Sequence, residues 1–242
     1  MTTRHVRRTT RPPASKGRLS AIAAGLAVGL IAVLSEPARA EPPPITPTVA
    51  VPTTTTPQAV LGQFATAWAT VTSYTATVSI FERAGTQTQN VVLEYTFHRP
   101  SNVSVHVDAG PNAGVTMVWD GGTTVVAHRG SGLAALFKKT FPLHDPLATT
   151  IRGSSVDQLS FGAILAHAQD ETGRLTQAPQ ADIDGVGVAA VTLTSADPAA
   201  DAGLTREIVE LSSTTRLPVQ VLGYDGTMLV RKIDFSNVVV ER

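Results

Sequence analysis

The chain has 242 residues, 43% hydrophobic and 16% charged, which is a globular composition and excludes a collagen-like or wholly disordered polymer. Its 19 basic and 19 acidic residues cancel, but seven of the basic ones and a single acid lie in the first 40 positions, which leaves a net −6 beyond them. So acidic a body excludes nucleic acid as the partner, because phosphate binding needs a basic footprint. It also speaks against general adsorption to anionic membranes.

In chain order, six basic residues precede the apolar run "LSAIAAGLAVGLIAVL" at 19–34, followed by Ala38-Arg39-Ala40. The run is short for a membrane span, and the small residues fit a cleavage site. A cleaved signal peptide over residues 1–40 is therefore expected rather than a retained anchor. Arg7-Arg8 lacks the hydrophobic continuation of a twin-arginine signal. With no cysteine, the exported chain has no disulfides and no lipidation site of its own, so a packed core must hold it together. Residues 41–56, "EPPPITPTVAVPTTTT", read as an extended Pro/Thr-rich linker.

Thr56-Pro57 is an N-cap followed by a first-turn proline, and Val60, Leu61, Phe64, Trp68 and Val71 recur at helical spacing. The period then changes to two. Strands are expected at Ser73–Glu82, Asn90–Arg99, Asn102–Asp108, Val115–Asp120 and Thr123–Arg129, with turns at Gly85, Pro100-Ser101, Gly110-Pro111-Asn112 and Gly121-Gly122. Such short links require antiparallel pairing. Residues 133–153 mix an apolar run with two prolines and give no clear element. Ser155 and Gln158 form a capping-box pair that opens a second helix, with Val156, Leu159, Ala163, Ile164 and His167 on one face and Gly173 as its stop. Strands return at Val186–Ser195, Thr205–Ser212, Leu217–Gly223, Met228–Phe235 and Val238–Glu241. The plan is mainly β within an α+β class. It is a long antiparallel sheet of about ten strands, curled because of its length, with two helices on its concave face.

The common catalytic signatures GxSxG, HExxH, the Walker loop and GxGxxG are absent from the sequence. His98 and His106 would approach a metal site only if they faced each other across the Pro100-Ser101 hairpin. The simpler reading is polar strand positions, because no carboxylate ligand pattern accompanies them. His144-Asp145 has the makings of a base and its orienter but no nucleophile to serve. The apolar faces say more. Val91, Leu93, Tyr95 and Phe97 share one side of a strand, as do Val103, Val105 and Val107, and Val115, Met117 and Trp119. Most of these are core. Two helices are thin cover for so long a sheet, however, and an incompletely covered concavity suits a greasy ligand.

The order of short motifs resembles the LolA-like periplasmic lipoprotein carriers. A strand ends in Arg99-Pro100, another ends in Asp120-Gly121, Leu217-Pro218 opens a strand, and an Asp225-Gly226 turn leads into "FSNV". The likeness runs over residues 57–242. Residues 91–168 also resemble an uncharacterised exported group close to that family. The resemblance implies a half-closed antiparallel β-barrel with helices as a lid over an apolar cavity. It implies lipid or lipoprotein acyl chains as cargo, an inner- or outer-membrane protein as an additional partner, and no cofactor. It further implies that Arg99 latches the lid through hydrogen bonds to lid backbone. Phe64, Trp68, Leu93, Tyr95, Phe97, Val105, Met117, Trp119, Leu159 and Ile164 are the expected cavity and lid residues, and the helices Pro57–Val71 and Val156–Ala168 the expected gate. A monomeric, non-enzymatic periplasmic carrier is the first expectation. A lipid sensor of the same fold that binds a partner protein is the second, and an enzyme using His144 or His98 and His106 the third.

Overall fold

A computed structural model describes residues 56–130, 132, 136–170, 175–178, 181–183 and 185–242. They fall within one compact unit, Pro52–Arg242. The expected signal peptide, its Ala40 cleavage site, nearly all of the linker and Gly173 lie outside the described residues. No described helix is long and apolar enough to cross a membrane.

Helix α1 spans Pro57–Ala69 as its sequence dictates: the Thr56 hydroxyl accepts from the Ala59 amide at 3.2 Å and Pro57 opens the first turn. The first meander follows as β1 (Ser73–Ala84), β2 (Gln87–His98), β3 (Asn102–Ala109), β4 (Val115–Trp119) and β5 (Thr124–Arg129). Within the ambiguous 133–153 segment, Lys138–Pro142 forms β6. Helix α2 is Phe161–Asp170, followed by β7 (Leu175–Gln177), β8 (Ala181–Ile183), β9 (Val186–Thr194), β10 (Arg206–Ser212), β11 (Pro218–Asp225) and β12 (Met228–Glu241).

All twelve strands join one antiparallel sheet in the order β6-β5-β4-β3-β2-β1-β12-β11-β10-β9-β7, with β8 also on β9. Strands β6 and β7 end this order without pairing to each other, so the sheet is open rather than a closed barrel. Among the described residues twelve strands replace the ten expected, because β7 and β8 are too short to show a period and β6, Lys-Lys-Thr-Phe-Pro, has no apolar alternation. The last strand is also one element rather than two. Where a break was expected at Ser236-Asn237, a bulge sits instead: Asn237 takes φ 51° and the register to β1 shifts between Thr75 and Thr77.

The second helix begins later than its capping box implies. The Ser155 amide does donate to Gln158 Oε1 at 3.1 Å, but the Ser155 hydroxyl turns to Asp157. The pair closes an isolated turn. Ser160 is the working cap, its hydroxyl accepting from the Ala163 amide at 3.1 Å. Val156 and Leu159 therefore belong to the loop that leads into α2.

Alternate residues of each strand meet in cross-strand register on one face: Val78 with Leu93, Leu93 with Val107, Tyr95 with Val105, Val105 with Met117, and Phe97 with Val103. Across the centre, Val78 opposes Phe235 and Ile80 opposes Ile233. These residues and the inner sides of α1 and α2 form one continuous core.

The opposite face carries Glu210 on β10. It is buried, and one of its carboxylate oxygens has no hydrogen-bond partner. Burial raises its pKa above the ordinary carboxylate range; the Lys232 ammonium lowers it and Asp234 raises it further. The folded state thus holds this proton more tightly than the unfolded chain. Stability must fall as pH rises from the ordinary carboxylate range through the raised value. Glu210→Gln is expected to stabilise the protein at neutral pH, with the gain vanishing below the ordinary carboxylate range. Denaturant melts at several pH values check this, and a pH-independent difference would contradict it.

Candidate functional site

Antiparallel hairpins place the β1–β2, β3–β4, β5–β6 and β11–β12 turns at one end of the sheet, and the β2–β3 turn with the C-terminus of α1 at the other. The two ends differ in chemistry.

At the second end Arg99 meets α1. Its Nη2 donates to the Trp68 carbonyl at 2.6 Å, its Nε donates to the Val71 carbonyl, and its Cζ lies 4.5 Å from the Trp68 ring centroid. The last carbonyls of a helix lack internal partners and carry the negative end of the dipole, so a guanidinium satisfies both needs. The Arg99 amide also donates to Thr72 O at 2.9 Å. The register sets His98 against Asn102 and His106 against Glu94 and Thr116, so the two histidines do not face each other. Among the described residues no three His, Asp or Glu side chains gather as for a metal. Asp145 Oδ1 accepts from the Leu147 amide at 2.8 Å, which is loop work rather than orientation of His144.

Under the helices the face is aromatic. Tyr74 stacks on Phe161 at 4.2 Å with a 2° interplanar angle, and also against Tyr95 and Phe97. Trp68 packs on Phe97 at 5.2 Å and edge-on to Tyr74 and Phe161. It approaches α2 so closely that a Cβ on Gly162 would lie 3.0 Å from its ring. Burial pushes both tyrosine hydroxyls well above the ordinary phenol range, so both stay neutral and serve as hydrogen-bonding groups. Tyr74 Oη accepts from the Phe161 amide at 3.3 Å, and Tyr95 donates to Val156 O at 3.1 Å. The aromatic residues thus pin α2 and the loop before it.

Two of the cavities among the described residues lie beneath α2 and the loop before it. The smaller, about 50 Å³, lies over Ile80, Val91, Leu93, Val107 and Met117 beneath the 147–156 loop. The larger, about 210 Å³, lies between α2 and β10–β12, floored by Leu159, Ile164, Leu204, Val221 and Ile233. Leu159 borders both. Of the residues expected to line a cavity, Leu93, Met117, Leu159 and Ile164 do so here. Phe64, Tyr95, Phe97 and Val105 are buried in the packed core, and Trp68 and Trp119 are partly buried against it.

The larger cavity has a charged wall that the sequence reading passed over. Glu207 and Arg231 form an ion pair, although β11 lies between their strands. They meet because the intervening position is Gly223, where a Cβ would lie 2.9 Å from Leu204 and 3.1 Å from Arg231 Cβ. His167 Nε2 from α2 lies 3.8 Å from Glu207 Oε1. On the other side of Arg231, fully buried Glu82 accepts from the Arg152 amide at 2.9 Å and from the Ser154 hydroxyl at 2.6 Å, fixing the loop into α2. Arg152 in turn donates to Arg83 O at 2.8 Å. The signal was present: Glu82, Glu207 and Arg231 each fall on the core parity of their strands, in line with Ile80, Val209 and Ile233.

No family model and no curated protein matches the chain. Solved structures do. The chain is similar to LprF from Mycobacterium bovis (16% identity, 75% of this chain and 92% of that one, TM-score 0.44). It is also similar to a putative outer membrane lipoprotein-sorting protein domain from Vibrio parahaemolyticus (13%, 76% and 93%, TM-score 0.40) and a LolA superfamily protein from Nitrosomonas europaea (13%, 77% and 94%, TM-score 0.37). All three TM-scores lie below 0.5, so the functional reading rests on this chain's own residues.

Arg99→Leu removes two carbonyl partners at the C-terminus of α1 without touching the core. A cooperative melt is expected to persist with a loss of about 1 kcal/mol, since the group is solvent-exposed. Hydrogen exchange is expected to quicken in the last turn of α1 and not in β1 or β12. Uniform protection across α1 in the variant would show that the guanidinium holds nothing.

Proposed function

We propose that the protein is a non-enzymatic carrier of lipid or lipoprotein acyl chains in the cell envelope, with α1 and α2 as the lid. The observation that carries this reading is the aliphatic space beneath α2 and its loop, which meets at Leu159 and ends in a wall of Arg152, His167, Glu207 and Arg231. An apolar floor with charged groups at one side is the arrangement that an amphiphile requires. Ligand pockets usually enclose about 300–1,000 Å³. The larger cavity holds about 210 Å³, so this is a closed form in which aromatic side chains occupy the space that a long chain needs. Loading moves α2 and the 147–159 loop away from Tyr74 and Tyr95, while Arg99 governs α1.

The reading is tested by purifying the exported form, extracting it with organic solvent and analysing the extract by mass spectrometry, with fluorescent fatty-acid titration alongside. A co-purifying lipid and saturable binding are expected, with Tyr74→Ala binding faster than the native chain because α2 is released. Neither lipid nor binding in either form would end the carrier reading. Bound lipid together with a stable membrane-protein partner in envelope pull-downs would favour a lipid sensor instead.

A further inference from the structure

At the cavity end of the sheet, the β5–β6 connection presents the two most exposed large apolar side chains among the described residues: Leu136 at 72% and Phe137 at 84%. Lys138 and Lys139 follow directly, both exposed, and Arg129 is exposed at the end of β5, with His128 paired to Lys138 in register. The charge here is segregated. Between Asp120 and Asp145 the sequence runs 24 residues without an acid and with three basic residues, in a body of net −6. No described acidic residue forms an ion pair with any of the three. Lysines on an edge strand also discourage edge-to-edge pairing. That role gives no reason to expose Leu136 and Phe137 beside them.

Apolar side chains at a tip flanked by cations without a described carboxylate partner match the interface of an anionic bilayer, although Lys139 Nζ also lies 4.7 Å from the Phe141 ring centroid: the side chains enter the acyl boundary while the ammonium groups stay at the phosphates. The position fits as well. The Gly130 amide donates to Gly114 O at 3.2 Å, which ties this connection to the β3–β4 turn. In that turn Pro111 and Asn112 border the smaller cavity, and Leu147, 62% exposed, borders it from the facing loop. We infer that the β5–β6 tip, through Leu136, Phe137, Lys138 and Lys139, is a docking surface for an anionic lipid bilayer and sets the cavity end of the protein against it. The inference stands whether or not the cavity carries a chain.

The test uses the unit Pro52–Arg242, whose whole core lies inside it, so that the N-terminal apolar run cannot contribute. The unit is floated with vesicles of equimolar phosphatidylglycerol and phosphatidylcholine, and with vesicles of phosphatidylcholine alone. It is expected to float with the anionic vesicles only, and to be released by high salt. Leu136→Ser/Phe137→Ser and Lys138→Gln/Lys139→Gln are each expected to weaken flotation at least tenfold, with melts and fatty-acid binding from solution unchanged. Failure of the native unit to float, or variants that float equally well, would overturn the docking surface while leaving the fatty-acid result to judge the carrier reading. So would sedimentation as a dimer that depends on Leu136 and Phe137, because a second copy would then cover the tip.

Discussion

The pairing of β1 with β12 is the constraint on which the fold depends. Strands β2 to β6 form one meander and β9 to β12 another, and only β1 against β12 makes them one sheet. The two strands are the first and last of the described chain, so the contact closes the longest loop in the molecule. Such a closure is slow to reach and costs entropy that local pairing does not. The register repays this with a run of apolar pairs, Val78 with Phe235 and Ile80 with Ile233, directly beneath α2. The bulge opposite Ala76 adds local twist where the long strands must bend. A concave face wide enough for both helices exists because of this seam.

The same seam explains why charges can sit on the apolar side. Arg231 lies between Glu82 on β1 and Glu207 beyond Gly223, so one guanidinium stands between two buried carboxylates. A buried ion pair contributes little net stability compared with apolar side chains of the same volume. Its effect is on position. Glu82 holds the backbone of the 152–154 loop, and Glu207 faces His167 on α2, so the lid is aligned to the sheet at its charged end and packed to it at its aromatic end.

How much of this was legible in the sequence follows from period and length. The long strands were readable because apolar alternation over eight or more residues has one structural solution, and each expected same-face set, such as Leu93, Tyr95 and Phe97, lies in register. Strands β7 and β8, three residues each, carry no period to read, and β6, no shorter than β4, lacks apolar alternation in Lys138–Pro142. The start of α2 was misplaced because Ser155 and Gln158 satisfy a local rule whose hydrogen bond forms without a helix. Which of the apolar residues would border open space was beyond reach, since alternation assigns a face but not the packing above it. Phe161 is the instructive case: it lies outside the helix face read from the sequence, yet it fills the space against Tyr74 that decides whether a cavity is there at all.

That filling sets the terms for any ligand. Opening the lid as proposed would expose Tyr74, Phe97 and Phe161, with the partly buried Trp68, and each fully buried aromatic side chain represents about 1.5–3 kcal/mol of lost burial. A bound acyl chain recovers about 0.8 kcal/mol per buried methylene. On the carrier reading a chain of only a few carbons would not hold the lid open against those aromatics, while a long one would, because a ligand moves an equilibrium only by its differential affinity for the two forms. If the protein carries acyl chains as proposed, the closed aromatic stack would act as a length filter, and the hydrogen bonds from Phe161 to Tyr74 and from Tyr95 to Val156 would raise its threshold by what they add to the closed form.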